Sequence, residues 1–272
     1  MDTAHEKYER LKEILRGFGS AAIAFSGGVD STFLLRAAHD VLGEGAVAVT
    51  ASSAFVPERE LEEARRFCAE NGIRHKLLTF DVLGDDAIRA NPENRCYLCK
   101  RRIFTGILRY AGQKGLSVVA EGSNTDDGGD YRPGMAAIAE LGVKSPLAEA
   151  GLSKAEIRAL SKELGLPTWS KPSFACLASR IPYGDELTAE RLHAVDRAEG
   201  LLLEMGFTQL RVRAHGTVAR IELLPEEFEK LLLGREEIYE AIRSCGFDYV
   251  AMDILGYRTG SLNETLKREM GK

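Results

Sequence analysis

The run Ala21-Ala22-Ile23-Ala24-Phe25-Ser26-Gly27-Gly28-Val29-Asp30-Ser31 constrains this chain more than any other. An apolar stretch of buried-strand type stops at Ser-Gly-Gly, and from Thr32 to Val41 apolar residues recur at helical spacing. Strand, tight turn and helix therefore succeed one another with almost no linker. Two glycines let the backbone turn sharply and approach a ligand closely. The first N–H groups of the helix are unpaired and point at the same turn, where the helix dipole favours an anion. Ser26 and Ser31 add hydroxyl donors, and Asp30 can hold a ribose, a metal or the loop itself. An ordinary Gly-rich turn is the bland alternative, but the full S-G-G-x-D-S in this setting is far more specific than a lone glycine pair. No G-x-x-x-x-G-K-[ST] occurs, so Walker-type transfer of a γ-phosphate is not expected.

The same alternation continues on either side. An amphipathic helix over 5–17 precedes the strand. A strand at 46–51, a helix after Pro57, a strand near 76–80, a helix over about 97–112 and a strand at Leu116–Ala120 follow. This order predicts an α/β domain, a parallel sheet with helices on both faces. Ligands bind such sheets at the C-terminal ends of the strands. From 125 to 185 the pattern loosens, apart from a helix to Leu164 announced by Ser153 and Glu156 at capping-box spacing. Lys171-Pro172-Ser173-Phe174-Ala175-Cys176-Leu177-Ala178-Ser179-Arg180 reads as an ordered loop. Beyond it the expected elements are a helix (188–205), strands at Gln209–Ala214 and Val218–Leu223, a helix from Pro225 and a strand near 248–255. These make a smaller α+β domain. At roughly 150 residues per domain the length allows one large domain or two modest ones, and the change of character near 186 points to two, 1–185 and 186–272.

Composition narrows the function. With 36 Lys+Arg against 41 Asp+Glu the net charge is −5, which argues against a grip on nucleic acid through bulk charge. Hydrophobic residues at 44% and charged residues at 28% exclude a disordered or fibrous chain. No apolar run approaches the ~20 residues of a membrane span. The start, Met1-Asp2-Thr3-Ala4-His5-Glu6-Lys7, lacks the order of a signal peptide, so a cytoplasmic protein is expected.

Five cysteines are too few for a disulfide scaffold and odd in number. Cys68 and Cys245 sit among apolar residues in helical patterns, as small core residues do. Cys96 and Cys99 form a C-x-x-C, and Cys176 stands in the polar loop. Three thiolates can hold three corners of an iron–sulfur cubane and leave its fourth iron open. Arg95, Lys100 and Arg180 nearby in sequence favour thiolate. A zinc site and a simple redox pair stay open, although none of the five histidines lies within three residues of these cysteines to complete a zinc site. In the second domain Arg211, Arg213 and His215 alternate along one strand face. Two adjacent guanidiniums suit a phosphate, and a solvated charged face is the alternative. Glu199 stands at the edge of the apolar stripe of Leu192, Val195 and Leu202, an awkward place for a carboxylate.

The S-G-G-x-D-S run resembles the pyrophosphate loop of the ATP pyrophosphatase superfamily. Glu121-Gly122-Ser123-Asn124-Thr125-Asp126-Asp127 is similar to the G-x-N-x-x-D segment that superfamily keeps near the nucleotide. The resemblance implies ATP on Ser26, Gly27, Gly28, Asp30 and Ser31, with Asn124 nearby and Asp127 helping to hold Mg²⁺. Asn94-Arg95-Cys96-Tyr97-Leu98-Cys99-Lys100, Pro172–Arg180 and Gly256-Tyr257-Arg258-Thr259-Gly260-Ser261-Leu262-Asn263-Glu264 resemble the LarE family, over essentially the whole chain.

That likeness implies an ATP-dependent sulfurtransferase of nickel-pincer nucleotide biosynthesis. Such an enzyme adenylates a carboxylate of pyridinium-3,5-biscarboxylic acid mononucleotide, releases pyrophosphate, and installs sulfur as AMP leaves. In one form of the family a cysteine matching Cys176 gives up its sulfur and becomes dehydroalanine. In the other, three cysteines hold a [4Fe–4S] cluster, and Cys96, Cys99 and Cys176 resemble that form. By the same likeness Arg211 and Arg213 meet the substrate phosphate and Glu199 is an acidic substrate residue. Ser179 and Arg180 touch the substrate, and Tyr97 stacks on its ring where some members have Trp. A symmetric homo-oligomer is implied as well. A tRNA thiolase of the same superfamily is the nearest rival, disfavoured by the acidic charge. A glutamine-fed amidotransferase would need a glutaminase-sized domain. An ATP-binding module without turnover belongs to a different class.

Overall fold

The computed structural model describes residues 2–129, 133–172 and 175–264. Ser173 and Phe174, part of the Pro172–Arg180 segment, lie outside them. The chain forms two compact units, one of residues 1–82 and 94–174, the other of 83–93 and 175–272.

In the first unit, α1 (Ala4–Phe18) starts on a capping box between Thr3 and Glu6. The strands β1 (Ala21–Ala24), β2 (Ala46–Ser52), β3 (Arg74–Thr79) and β4 (Val118–Ala120) are all parallel, in the order β3-β2-β1-β4. Helices α2 (Val29–Leu42), α3 (Glu58–Glu70) and α5 (Arg95–Gln113) follow β1, β2 and β3 in the chain, with α8 (Lys154–Glu163) further on. β1 is central, and its apolar run serves two cores at once. Ala21 and Ile23 pack with Phe33, Leu34 and Ile157, whereas Ala22 packs with Val47, Val49 and Ile107. A strand buried on both faces has no reason to alternate, which is why it reads as continuous. The strand order reverses beside β1, between β2 and β4, so the crevice at the C-terminal end of β1 is where such a sheet binds ligands.

Helix α2 begins at Val29, earlier than its apolar spacing suggests, because Gly28 is its N-cap. In the loosely patterned stretch lie α6 (Pro133–Glu140) and α7 (Pro146–Glu149). Both are too short to display a helical period. The Ser153–Glu156 capping box of α8 forms as expected.

The second unit is built on β5 (Leu210–His215), β6 (Val218–Leu223) and β7 (Tyr249–Met252). β5 and β6 are antiparallel, while β6 and β7 are parallel. Helix α9 (Ala189–Glu204) packs on β5. The helix expected from Pro225 divides at Gly234 into α10 (Phe228–Leu233) and α11 (Arg235–Arg243). The short α4 (Asp86–Arg89) belongs to this unit. Asn91 Nδ2 donates to the carbonyls of Ile181 and Pro182, and Leu187 N–H donates to Arg89 O. These bonds draw 83–93 and 175–185, on the first-domain side of the boundary expected at 185, into the second unit. No helix among the described residues is long and apolar enough to cross a membrane.

Candidate active site

In the first unit the phosphate loop is assembled by its own chain and by three distant segments. Gly27 has φ +71°, a conformation that a side chain would strain. Ser26 and Ser31 hydroxyls are 3.1 Å apart, and Ser31 Oγ also donates to Gly28 O at 3.2 Å, which ties the turn to the first residues of α2. Gly28 provides no side-chain cap, so the leading N–H groups of α2 open onto the loop. At the end of β4, a Cβ on Gly122 would lie 3.0 Å from Ser31 N and 3.2 Å from Asp30 C, so the two segments meet backbone to backbone. Asn124 Nδ2 donates to Asp30 Oδ1 at 3.4 Å, and Lys154 Nζ pairs with the other Asp30 oxygen. Asp127 accepts the Asn124 N–H at 2.9 Å, which shapes the turn at Asn124.

Two lysines of this site went unnoticed in the sequence. Lys154 opens α8 and meets Asp30, while Lys171 Nζ reaches Gly27 O at 3.1 Å and Glu63 at 2.7 Å. Neither has a local signal, since each is separated from its partner by a long stretch of chain. The loop is anchored from below as well. Thr50 Oγ1 donates to Phe25 O at 2.7 Å, and so accepts from His75 Nε2 at 2.9 Å, which fixes the imidazole tautomer. Burial, then the Arg65 charge, lowers the His75 pKa and so favours the neutral ring.

In the second unit, Cys176 is exposed at the head of a one-turn helix, Leu177–Arg180. Arg180 and Glu199 are each 1% exposed and form a two-pronged pair, Nε to Oε1 and Nη2 to Oε2, both at 2.9 Å. The awkward Glu199 thus has a guanidinium for a partner. Val212 N–H also donates to it at 3.0 Å. Burial works against its charge, but the Arg180 guanidinium, together with the Arg211 charge and the Val212 N–H, outweighs that and holds the carboxyl below the ordinary glutamate value.

Arg213 makes a second such pair with Glu222, at 3.0 Å on both prongs, and donates to Ser261 Oγ at 2.7 Å and Ser179 O at 2.6 Å. Arg211 lies 5.2 Å from the Tyr257 ring centre. Burial, then the neighbouring Arg180 charge, pushes its pKa down to about 10. Both faces of β5 are buried up to Ala214, so the alternating arginines are not a solvated face. Among the described residues of this unit, three buried guanidiniums (Arg180, Arg211, Arg213) accompany two buried carboxylates (Glu199, Glu222). The cluster carries an excess of positive charge suited to an anion.

The chain is 36% identical over 269 residues, 98% of each sequence, to the pyridinium-3,5-bisthiocarboxylic acid mononucleotide synthase of Lactiplantibacillus plantarum. The chain belongs to the LarE family of the ATP pyrophosphatase superfamily. It is also 43% identical over 264 residues to an uncharacterized protein of Synechocystis sp., covering 96% of this chain and 98% of the relative. A shorter match, 31% over 157 residues, joins 54% of the chain to 39% of the argininosuccinate synthase of Natronomonas pharaonis. No family model matches.

The residues a LarE chain is expected to use fall into three groups here. Ser26–Ser31, Asn124 and Asp127 gather at the phosphate loop. Ser179, Arg180, Glu199, Arg211 and Arg213 gather around Cys176 and β5. Cys96, Tyr97 and Cys99 lie in the first two turns of α5, where Cys96 and Cys99, three residues apart, share one half-buried face. Tyr97 is held there by its hydroxyl, which donates to Glu140 at 2.7 Å. Cys96 and Cys99, one turn apart on the same helix face, are soft thiol donors of the kind an iron–sulfur cluster takes. Among the described residues no three His, Cys, Asp or Glu side chains gather as a metal centre. The carboxylates of Asp30 and Asp127 are hard oxygen donors of the type Mg²⁺ takes. Cys68 is a different kind of thiol: burial pushes it up to about 12, as befits a core residue. Burial raises Cys245 too.

Proposed function

We propose that this protein is an ATP-dependent sulfurtransferase that converts a carboxylate of pyridinium-3,5-biscarboxylic acid mononucleotide to a thiocarboxylate. ATP lies with its pyrophosphate on Ser26, Gly27, Gly28 and Ser31, against the opening N–H groups of α2. Lys171 and Lys154 are within the same neighbourhood to balance its charge. Mg²⁺, held by Asp30 and Asp127, supplies charge neutralisation of the phosphates. The excess guanidinium charge at Arg180, Arg211 and Arg213 supports a substrate phosphate on Arg211 and Arg213, with Tyr97 against the ring.

The substrate carboxylate oxygen attacks the α-phosphorus and pyrophosphate leaves, giving an acyl-adenylate. Adenylation matters because a free carboxylate is a poor electrophile, whereas AMP is a good leaving group. The Cys176 thiolate then attacks the acyl carbon and AMP departs with the C–O electron pair, leaving a thioester. Loss of the Cys176 Cα proton and cleavage of its Cβ–S bond release the thiocarboxylate and leave dehydroalanine. A [4Fe–4S] cluster on Cys96, Cys99 and Cys176 would instead supply a replaceable sulfide, sparing Cys176.

Membership of the LarE family, joined to an exposed Cys176 beside buried arginines, is the observation that carries this reading. The experiment is anaerobic purification with iron and sulfide analysis, followed by turnover with ATP and the biscarboxylate nucleotide. AMP and thiocarboxylate are expected. Iron that disappears in Cys96→Ala identifies the cluster as the sulfur carrier, whereas an iron-free chain whose Cys176 loses the mass of H₂S identifies the cysteine. Failure of the substrate to elicit AMP overturns the reading.

A further inference from the structure

We propose that Arg180 and Glu199 serve as positioning residues for Cys176, fixing its backbone, and do not contact the substrate. The proposal rests on the reading of Cys176 as the sulfur-bearing thiol. All three guanidinium nitrogens of Arg180 already donate to protein acceptors. Nε and Nη2 go to Glu199, and Nη1 goes to Ala175 O at 2.5 Å, Cys176 O at 3.1 Å and Ser179 Oγ at 2.9 Å. The Cys176 carbonyl also accepts Ser179 N–H at 3.0 Å and Ser179 Oγ–H at 2.8 Å. Three donors therefore converge on one carbonyl of an exposed residue. Such a carbonyl would otherwise be solvated, so this convergence is what distinguishes the turn from an ordinary loop.

The chain of support runs inward. Fixing the Cys176 carbonyl fixes the peptide plane between Cys176 and Leu177, and with it the direction in which the Cys176 Cα–Cβ bond leaves the backbone. The guanidinium that does this is held flat by both oxygens of Glu199, a geometry that a planar fork provides and an ammonium does not. Glu199 is fixed in turn by Val212 N–H on β5, so the reactive thiol is referenced to the sheet. Arg213 reinforces the same turn by donating to Ser179 O. A nucleophile that must meet an acyl carbon once per turnover gains from this preorganisation.

The test uses the full chain with Arg180→Gln, and with Arg180→Lys as the variant that keeps a charge opposite Glu199 should the first not fold. Amide hydrogen exchange is read over residues 175–180 and over the rest of the second unit. Positioning predicts exchange roughly tenfold faster at 175–180 in the folded variant, with the remainder of the unit unchanged. Unchanged exchange at 175–180 in folded Arg180→Lys overturns the proposal, and so does acceleration spread evenly over the unit. Steady-state kinetics give the second arm. Positioning predicts a fall in kcat with KM for the biscarboxylate nucleotide unchanged, whereas a rise in KM alone means direct contact and overturns it. Hydrogen exchange needs no turnover, so it decides the positioning role even if the sulfur-transfer reading fails.

Discussion

The phosphate loop and the arginine cluster around β5 both handle charge, and they do so in opposite ways. At the loop the work falls to backbone N–H groups, two serine hydroxyls and partly exposed side chains such as Lys154 and Asp30. Around β5 the charges are buried, and two of the arginines are locked in two-pronged pairs, Arg180 with Glu199 and Arg213 with Glu222. Water screens the first set and is absent from the second. A loop of the first kind can release its partners to a ligand at small cost. A cluster of the second kind holds its geometry rigidly, and any lost partner leaves a bare charge in the interior.

Deleting one charge from each region exposes that contrast. Glu222 is fully buried and accepts from Arg213, Arg220 and Ser261. Glu222→Gln is expected to lower the unfolding free energy by about 3–5 kcal/mol, the cost of breaking a buried pair. Lys154→Met at the loop should cost about 1 kcal/mol or less, as partly exposed pairs do. Urea denaturation at pH 7 measures both. Equal losses would mean that the two regions are not different in kind.

The contrast also explains what could be read in the sequence. The loop was legible because its parts are neighbours: Ser26, Gly27, Gly28 and Ser31 meet through bonds spanning at most five residues. The strands and their parallel order followed from apolar runs alternating with helical periods. Around β5 the partners lie 19 and 9 residues apart, and Ser261 comes to Arg213 from 48 residues away. Spacing holds no information about such meetings. It could show that Glu199 was out of place on its helix but not that Arg180 was waiting for it. Lys154 and Lys171 were missed for the same reason.

A middle-sized effect tests whether the loop depends on close backbone approach more than on charge. Gly122 has an ordinary negative-φ backbone, so a side chain there is opposed by space alone: its Cβ would meet Ser31 N at 3.0 Å and Ser31 Cα at 3.3 Å. Because backbone cannot swing aside as a side chain does, Gly122→Ala should cost about 1–3 kcal/mol, as overpacking does. It should also weaken ATP binding by displacing the first turn of α2. Calorimetric ATP titration beside a denaturation curve separates the two. Wild-type affinity would show that charge alone makes the site.

The smallest effect probes how the loop's lysine is aimed. Lys154 is the first residue of α8, so its direction depends on where that helix starts. The start is set by Glu156, which accepts Ser153 N–H at 2.8 Å and Lys7 Nζ at 2.7 Å. The bond from Lys7, then the Ser153 backbone bond, holds its carboxyl below the ordinary glutamate value. A lowered folded-state pKa contributes stability above the unfolded value of ~4.3, and that contribution fades as pH falls through the folded value. Glu156→Gln keeps a side chain able to close the capping box but loses the charge that meets Lys7, so it should cost about 1 kcal/mol or less at pH 7. The gap from wild type should stay constant down to about pH 5 and then narrow as Glu156 is protonated. Denaturation across a pH series reads this directly. No gap at pH 7 would mean that the Glu156 charge adds nothing to the start of α8, and that Lys154 meets Asp30 without help from the carboxylate.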